Sequence, residues 1–220
     1  MAQSRVLITG FGPYPGVAEN PSGWLAETLA ARKSHDCNLQ AHVLPTEWKA
    51  VAELTPRLHE SVQPHVMIHF GVSPRAKALR IERSAHNRIA SRADANGSVP
   101  DARMISPNST MRLDTGFPVT QIAAHLRTQG TPAHSSRSCG RYLCNFLYYR
   151  SLQWAQTHGS DALFVHVPHR ASEDTPFSAD TLLHAAEEIL RLVLDATTGP
   201  DARAAQAQNP SPSHIEELRQ

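Results

Sequence analysis

Arg5-Val6-Leu7-Ile8-Thr9 runs directly into Gly10-Phe11-Gly12-Pro13-Tyr14-Pro15-Gly16, and Asn20-Pro21 follows shortly after. The apolar run suits a short buried strand, whereas the Gly/Pro segment is too irregular for the interior of a strand or a helix. Asn20 is a helix N-cap by type and Pro21 suits the first helical position; Trp24, Leu25 and Leu29 then supply an apolar stripe. Strand, loop and helix form the opening unit.

The alternation continues. An extended stretch from Asn38 to Pro45 precedes a helical pattern from Trp48 to His59, which Pro56 is expected to distort. His65-Val66-Met67-Ile68-His69-Phe70 reads as a buried strand closed by Gly71, and a further extended run spans Lys77 to Asn87. Arg88 to Phe117 has no clear period; a segment of that size inside a compact domain is usually functional or partly structured. A helix is predicted from Val119 to Gln129, a short strand in Pro132 to Ser138, and a helix through Tyr142, Leu143, Phe146, Leu147 and Leu152. A strand at Ala162 to Val167 and a helix at Thr181 to Ala196 complete the pattern.

Strands alternating with helices predict a three-layer α/β/α sandwich with a largely parallel, mixed central sheet. Residues 1–198 read as one domain, and 199–220, rich in Ala, Gln, Pro and Ser, as a disordered polar tail. In such sheets sites gather beyond the carboxyl ends of the strands.

Composition narrows the function. The 220 residues carry 21 Lys plus Arg against 20 Asp plus Glu, a net charge of +1. No field for gathering nucleic acid or anionic lipid follows. No apolar run approaches the ~20 residues of a membrane span, and Val6-Leu7-Ile8-Thr9 is too short for a signal h-region, so a cytoplasmic protein is expected. Cys37, Cys139 and Cys144 are odd in number and lack CxxC spacing, against both a disulfide framework and a structural zinc site. The 13 histidines include His166 and His169, but no carboxylate or cysteine stands at a ligand spacing from them, so no metal is expected. Gly10-Phe11-Gly12 completes neither nucleotide-loop pattern, and no organic cofactor is implied.

Three residues could carry chemistry. Cys144 falls in the first or second turn of its helix, where the dipole and unpaired N–H groups favour a thiolate; it also reads as a small core residue beside Leu143 and Phe146. His166 ends the late strand, as a base or as a hydrogen-bonded core histidine. Glu82, between Ile81 and Arg83, suits an orienting carboxylate or half of a surface ion pair. Together they supply the nucleophile, base and orienter of a thiol hydrolase.

From Val6 to Ala196 the chain resembles the pyroglutamyl peptidase I family of cysteine peptidases. Val6-Leu7-Ile8-Thr9-Gly10-Phe11 with Asn20-Pro21-Ser22 is similar to the family's opening strand and loop, and Glu82-Arg83-Ser84-Ala85-His86-Asn87 to its glutamate motif. Ser138-Cys139-Gly140-Arg141-Tyr142-Leu143-Cys144-Asn145 resembles its nucleophile motif, and His166-Val167-Pro168 its His-x-Pro. The resemblance implies removal of N-terminal pyroglutamate from peptides, with Cys144 as nucleophile, His166 as base and Glu82 as its orienter. It places Arg92 near the reaction centre, a candidate for stabilising oxyanion charge, and Phe11 and Tyr14 against the lactam ring; Val72 is a third substrate-binding candidate. It also implies a single α/β/α domain, assembled as a homotetramer or dimer.

The sequence departs from the family around the pocket. Gly71-Val72-Ser73-Pro74-Arg75 stands in place of a Gly-Gly-Arg ending, Ala90 to Asn96 replaces an Asp-Ala-Arg-x-Pro-Asp-Asn run, and Tyr14 adds a hydroxyl where the family usually has Phe. Reaction type therefore follows more directly than acyl group. A triad hydrolase for another small acyl group or lactam, and a silent binding protein that keeps the fold, are the alternatives.

Overall fold

The apolar run at the N-terminus forms an interior strand of a sheet, covered on both faces. A computed structural model describes residues 3–32, 37–74, 76–169 and 177–198; the predicted tail lies outside the described residues. The first half of the chain comprises β1 (Ser4–Phe11), α1 (Pro21–Ala31), β2 (Cys37–Leu44), α2 (Trp48–Val62), β3 (Val66–Ser73), β4 (Leu79–Glu82) and β5 (Ser84–His86). The second half comprises β6 (Arg112–Asp114), α3 (Val119–Thr128), β7 (Ala133–Ser136), α4 (Leu143–His158), β8 (Asp161–Pro168) and α5 (Ala179–Thr198).

Six strands form one sheet in the order β2-β1-β3-β8-β4-β7. β2, β1, β3 and β8 are mutually parallel; β4 runs antiparallel to β8 and parallel to β7. Val6, Ile8, Ile68, Ile81, Val165 and Val167 face a core shared with α1, α3 and α5, while Leu7, Met67 and Phe164 face a second core under α2 and α4. This is the predicted three-layer α/β/α sandwich with a mixed, largely parallel sheet. No helix among the described residues is long and apolar enough to cross a membrane.

The loop after β1 is fixed by the cap of α1. Asn20 Oδ1 accepts from the Ser22 backbone N–H at 3.1 Å, its Nδ2 donates to Gly12 O at 2.9 Å, and Phe11 N–H donates to Ser22 Oγ at 3.1 Å. Only glycine fits at position 10, where a Cβ would lie 2.1 Å from Ser22 O.

One expectation is corrected and two are filled in. The run from Lys77 to Asn87 is not one strand: at Arg83 the chain leaves the main sheet, and β5 pairs instead with β6 in a separate two-stranded sheet. The helix around Pro56 continues past His59, and α2 runs to Val62. The aperiodic segment 88–117 contains β6 and is otherwise shaped by side chains bonding to backbone. Asn87 Oδ1 accepts from Ile105 and Ser106 N–H, Asp94 accepts from Trp48, Asn96 and Ser98 N–H, and Tyr149 Oη donates to Thr110 O.

Under α4 lies a buried polar chain. Thr9 Oγ1 and His69 Nδ1 are 2.8 Å apart, His69 Nε2 and Ser151 Oγ 2.9 Å, and Ser151 Oγ and His59 Nε2 3.1 Å. Burial holds His69 down at about 3, with His59 adding to the effect; burial, then the charges of Arg150 and His158, hold His59 at about 4. Below pH ~6.5 the unfolded chain binds protons that the folded chain refuses, so stability falls with acid. Each histidine contributes a slope approaching ~1.4 kcal/mol per pH unit. The urea midpoint is expected to drop steadily from pH 7 to pH 4.5; a flat midpoint would mean that these imidazoles take protons inside the fold.

Candidate active site

The second residue of α4 is Cys144. Tyr142, at the N-cap, supplies no side-chain cap, so the first-turn N–H groups carry the helix's positive end to the point where Leu143 and Cys144 line a cavity. Asn145 holds this turn in place: its Oδ1 accepts from His86 N–H at 2.8 Å, and its Nδ2 donates to His86 O at 2.8 Å and Arg88 O at 3.1 Å. One turn further on, Tyr148 Oη donates to Glu82 O at 2.9 Å. The thiol rests over β3 at Gly71, where a Cβ would stand 3.0 Å from Cys144 Sγ and 2.7 Å from Phe164 Cζ. A side chain at this position would displace the sulfur.

His166 and Glu82 meet because β4 is antiparallel to β8. The register pairs Arg80 with His166 and Glu82 with Phe164, so all four residues share one face and Glu82 lies diagonally across from His166. His166 Nδ1 and Glu82 Oε1 are 2.8 Å apart, and the imidazole lies close enough to Cys144 for the thiol to shift its pKa. The carboxyl-end rule for parallel strands does not account for Glu82, which approaches from an antiparallel strand. Burial pulls His166 down, but its interactions with Cys144 and Glu82, together with their negative charge, outweigh it and raise the imidazole to about 9. Cys139 is buried; that burial, with Cys144 and Glu82 nearby, pushes its thiol well above the usual range.

Phe11, Tyr14, Val72, Arg92 and Cys144, drawn from four separate stretches of the chain, line one cavity of about 580 Å³ with Asn20, Thr46 and Tyr142. Arg92 lies 4.7 Å over the Tyr142 ring, and its carbonyl accepts from Trp48 Nε1 at 3.0 Å. Burial and Cys144 push the Tyr14 hydroxyl up against the pull of Arg92, which puts all three in one electrostatic neighbourhood. A larger cavity of about 790 Å³ lies beside the same loop, reaches Trp24 and Glu27, and contains none of the triad candidates. All seven residues singled out in the sequence therefore converge, with Glu82 and His166 buried beside the thiol that lines the smaller cavity. Asn145 and Tyr148 were missed as anchors; Asn145 was signalled only by its place beside Cys144. Among the described residues no three His, Cys, Asp or Glu side chains group as metal ligands would.

A thiol beside an imidazole that is hydrogen-bonded to a buried carboxylate, over a layered α/β sheet, is the arrangement of a cysteine hydrolase. A pyroglutamyl peptidase family model matches residues 4–176. Pyrrolidone-carboxylate peptidase of Pyrococcus furiosus is 34% identical over 168 residues, covering 75% of this chain and 81% of that protein. Human pyroglutamyl-peptidase 1 is 33% identical over 203 residues, 89% of this chain and 93% of its own. Among solved structures, pyrrolidone carboxyl peptidase from Thermococcus litoralis superposes with a TM-score of 0.81 at 27% identity, covering 88% of this chain and 94% of that one. The chain belongs to the pyroglutamyl peptidase family of cysteine hydrolases.

Proposed function

We propose that this protein removes N-terminal pyroglutamate from peptides through Cys144, His166 and Glu82. The observation that carries the reading is the series from Cys144 through His166 to Glu82 Oε1, opening on a cavity with two aromatic walls. His166 carries a proton at neutral pH. Cys144 Sγ attacks the pyroglutamyl carbonyl carbon, and the tetrahedral oxyanion is stabilised by the first-turn N–H groups of α4 and by Arg92. The C–N bond then breaks, the amine leaves with the proton from His166, and a thioester remains. Water adds to the thioester as His166 takes its proton, and the Cys144 sulfur departs.

The cyclised substrate residue has no free amine, so a largely apolar pocket with few polar groups suits it, and Phe11 and Tyr14 flank the ring. The nucleophile must stay reduced, in keeping with the cytoplasm, and the family resemblance extends to a homotetramer or dimer. The test is release of chromophore from a pyroglutamyl anilide by reduced protein, with a proline anilide as control. Turnover of the first and not the second is expected. Equal turnover of both would discard lactam specificity. The Tyr14 hydroxyl in the cavity favours, as a second reading, the same chemistry on another small acyl group; a panel of acyl anilides separates the two.

A further inference from the structure

Glu82 is fully buried, and its two oxygens are treated unequally. Oε2 has no hydrogen-bond partner among the described residues, whereas Oε1 is hydrogen-bonded with His166 Nδ1 at 2.8 Å and ion-paired with Arg80 Nη2 at 3.1 Å. The same Arg80 nitrogen donates to Ser136 Oγ at 3.0 Å and Ser138 O at 3.0 Å, which ties the guanidinium to β7 and to the turn leading to the nucleophile helix. Arg80 is about two-thirds buried and stands two residues before Glu82, on the same face of β4.

We propose that Arg80 is a positioning residue of this site, a fixed cation that keeps Glu82 Oε1 aimed at His166 and compensates the buried carboxylate while His166 is neutral. The inference rests on the triad reading above. A buried carboxylate is costly unless paired. His166 pairs it only while protonated, and in the proposed cycle His166 gives its proton to the departing amine. From then until water is deprotonated, Arg80 is the cation still in contact with Glu82. A glutamate held through one oxygen by one partner could also swing about its own torsions; the ion pair with Arg80, itself hydrogen-bonded at two further points, opposes that swing.

The other groups around the pair do not replace this charge. Tyr148, from α4, contacts the Glu82 carbonyl and not the carboxylate. Cys139, from the turn before α4, brings no positive charge, and neither does Cys144. His134, the register partner of Arg80 on β7, is exposed, and Arg83 is on the opposite face of the strand, donating to Thr120 on α3.

The experiment compares Arg80→Met, Arg80→Gln and Arg80→Lys with the unaltered protein. It reads the pH dependence of Cys144 alkylation by iodoacetamide, mapped by peptide mass spectrometry, and kcat and KM on the pyroglutamyl anilide. Loss of the cation is expected to move the alkylation midpoint upward by roughly 0.5–1 pH unit, the scale of one nearby charge at a partly buried site. It should also lower kcat roughly tenfold with KM little changed, short of the ~10²–10⁴ expected for the base itself. Arg80→Gln keeps hydrogen-bonding capacity without charge and should behave like Arg80→Met; Arg80→Lys should recover most of both effects. An alkylation profile that superimposes on the wild type, or a lysine variant no better than methionine, would overturn the proposal. Should Arg80→Met fail to fold, the glutamine and lysine variants carry the same comparison. Alkylation needs no substrate, so a failure of the pyroglutamyl reading is told apart from a failure of this one.

Discussion

Replacing Cys144 by serine is expected to lower turnover of a pyroglutamyl anilide by roughly 10⁴-fold or more, the scale on which triads lose activity when the nucleophile is removed. Serine is close to isosteric, and the constraints on this position are ones an oxygen also satisfies: the close approach to Gly71 and the proximity to His166. What changes is chemistry, since a hydroxyl gives up its proton far less readily than a thiol and is the weaker nucleophile. Neither remaining cysteine can substitute. Cys139 is buried with its thiol pushed well above the ordinary range, and Cys37 begins the edge strand β2 at the far side of the sheet. The comparison is made at matched circular dichroism and thermal midpoint. Residual turnover within tenfold of the wild type would remove Cys144 from the reaction.

The second large effect is that of His166→Gln, for which a loss of roughly 10²–10⁴-fold in kcat is expected because both base and acid disappear. Its pH signature is specific. With the imidazole raised to about 9, His166 is protonated below that pH and able to protonate the departing amine; above it the proton is lost and activity falls. The profile of kcat/KM should therefore have an alkaline limb near pH 9. Glu82→Gln removes one of the two partners that raise His166, so the limb should move to lower pH while turnover persists at a reduced level. A limb that stays in place in Glu82→Gln would show that the carboxylate does not act on His166.

Much of the candidate site was legible as a set, though no member of it was decisive alone. A cysteine in the first helical turn, a histidine closing a strand and a glutamate inside one have local signatures, and their family motifs are short and contiguous. Arg80 left a signal too, two residues from Glu82 and therefore on its face of the strand, but only the antiparallel register gives that signal meaning. Segment 88–117, apart from Arg92 in its motif, gave no reading of its conformation. Asn87, Asp94 and Asn145 bond to backbone many residues away and take the place of local periodicity, and such pairings leave no trace in the period of a sequence.

The sequence by itself determined the alternation of strands and helices, the loop and cap that close over the first strand, and which side chains are the candidate reacting groups. Those depend on hydrophobic period, capping chemistry and side-chain type, all properties of a few neighbouring residues. Tertiary structure alone decided that β4 turns back against β8, that the chain changes sheets at Arg83, and that one carboxylate oxygen takes two cations. These are set by which strand surfaces can be buried together, a competition among distant segments that no local pattern records.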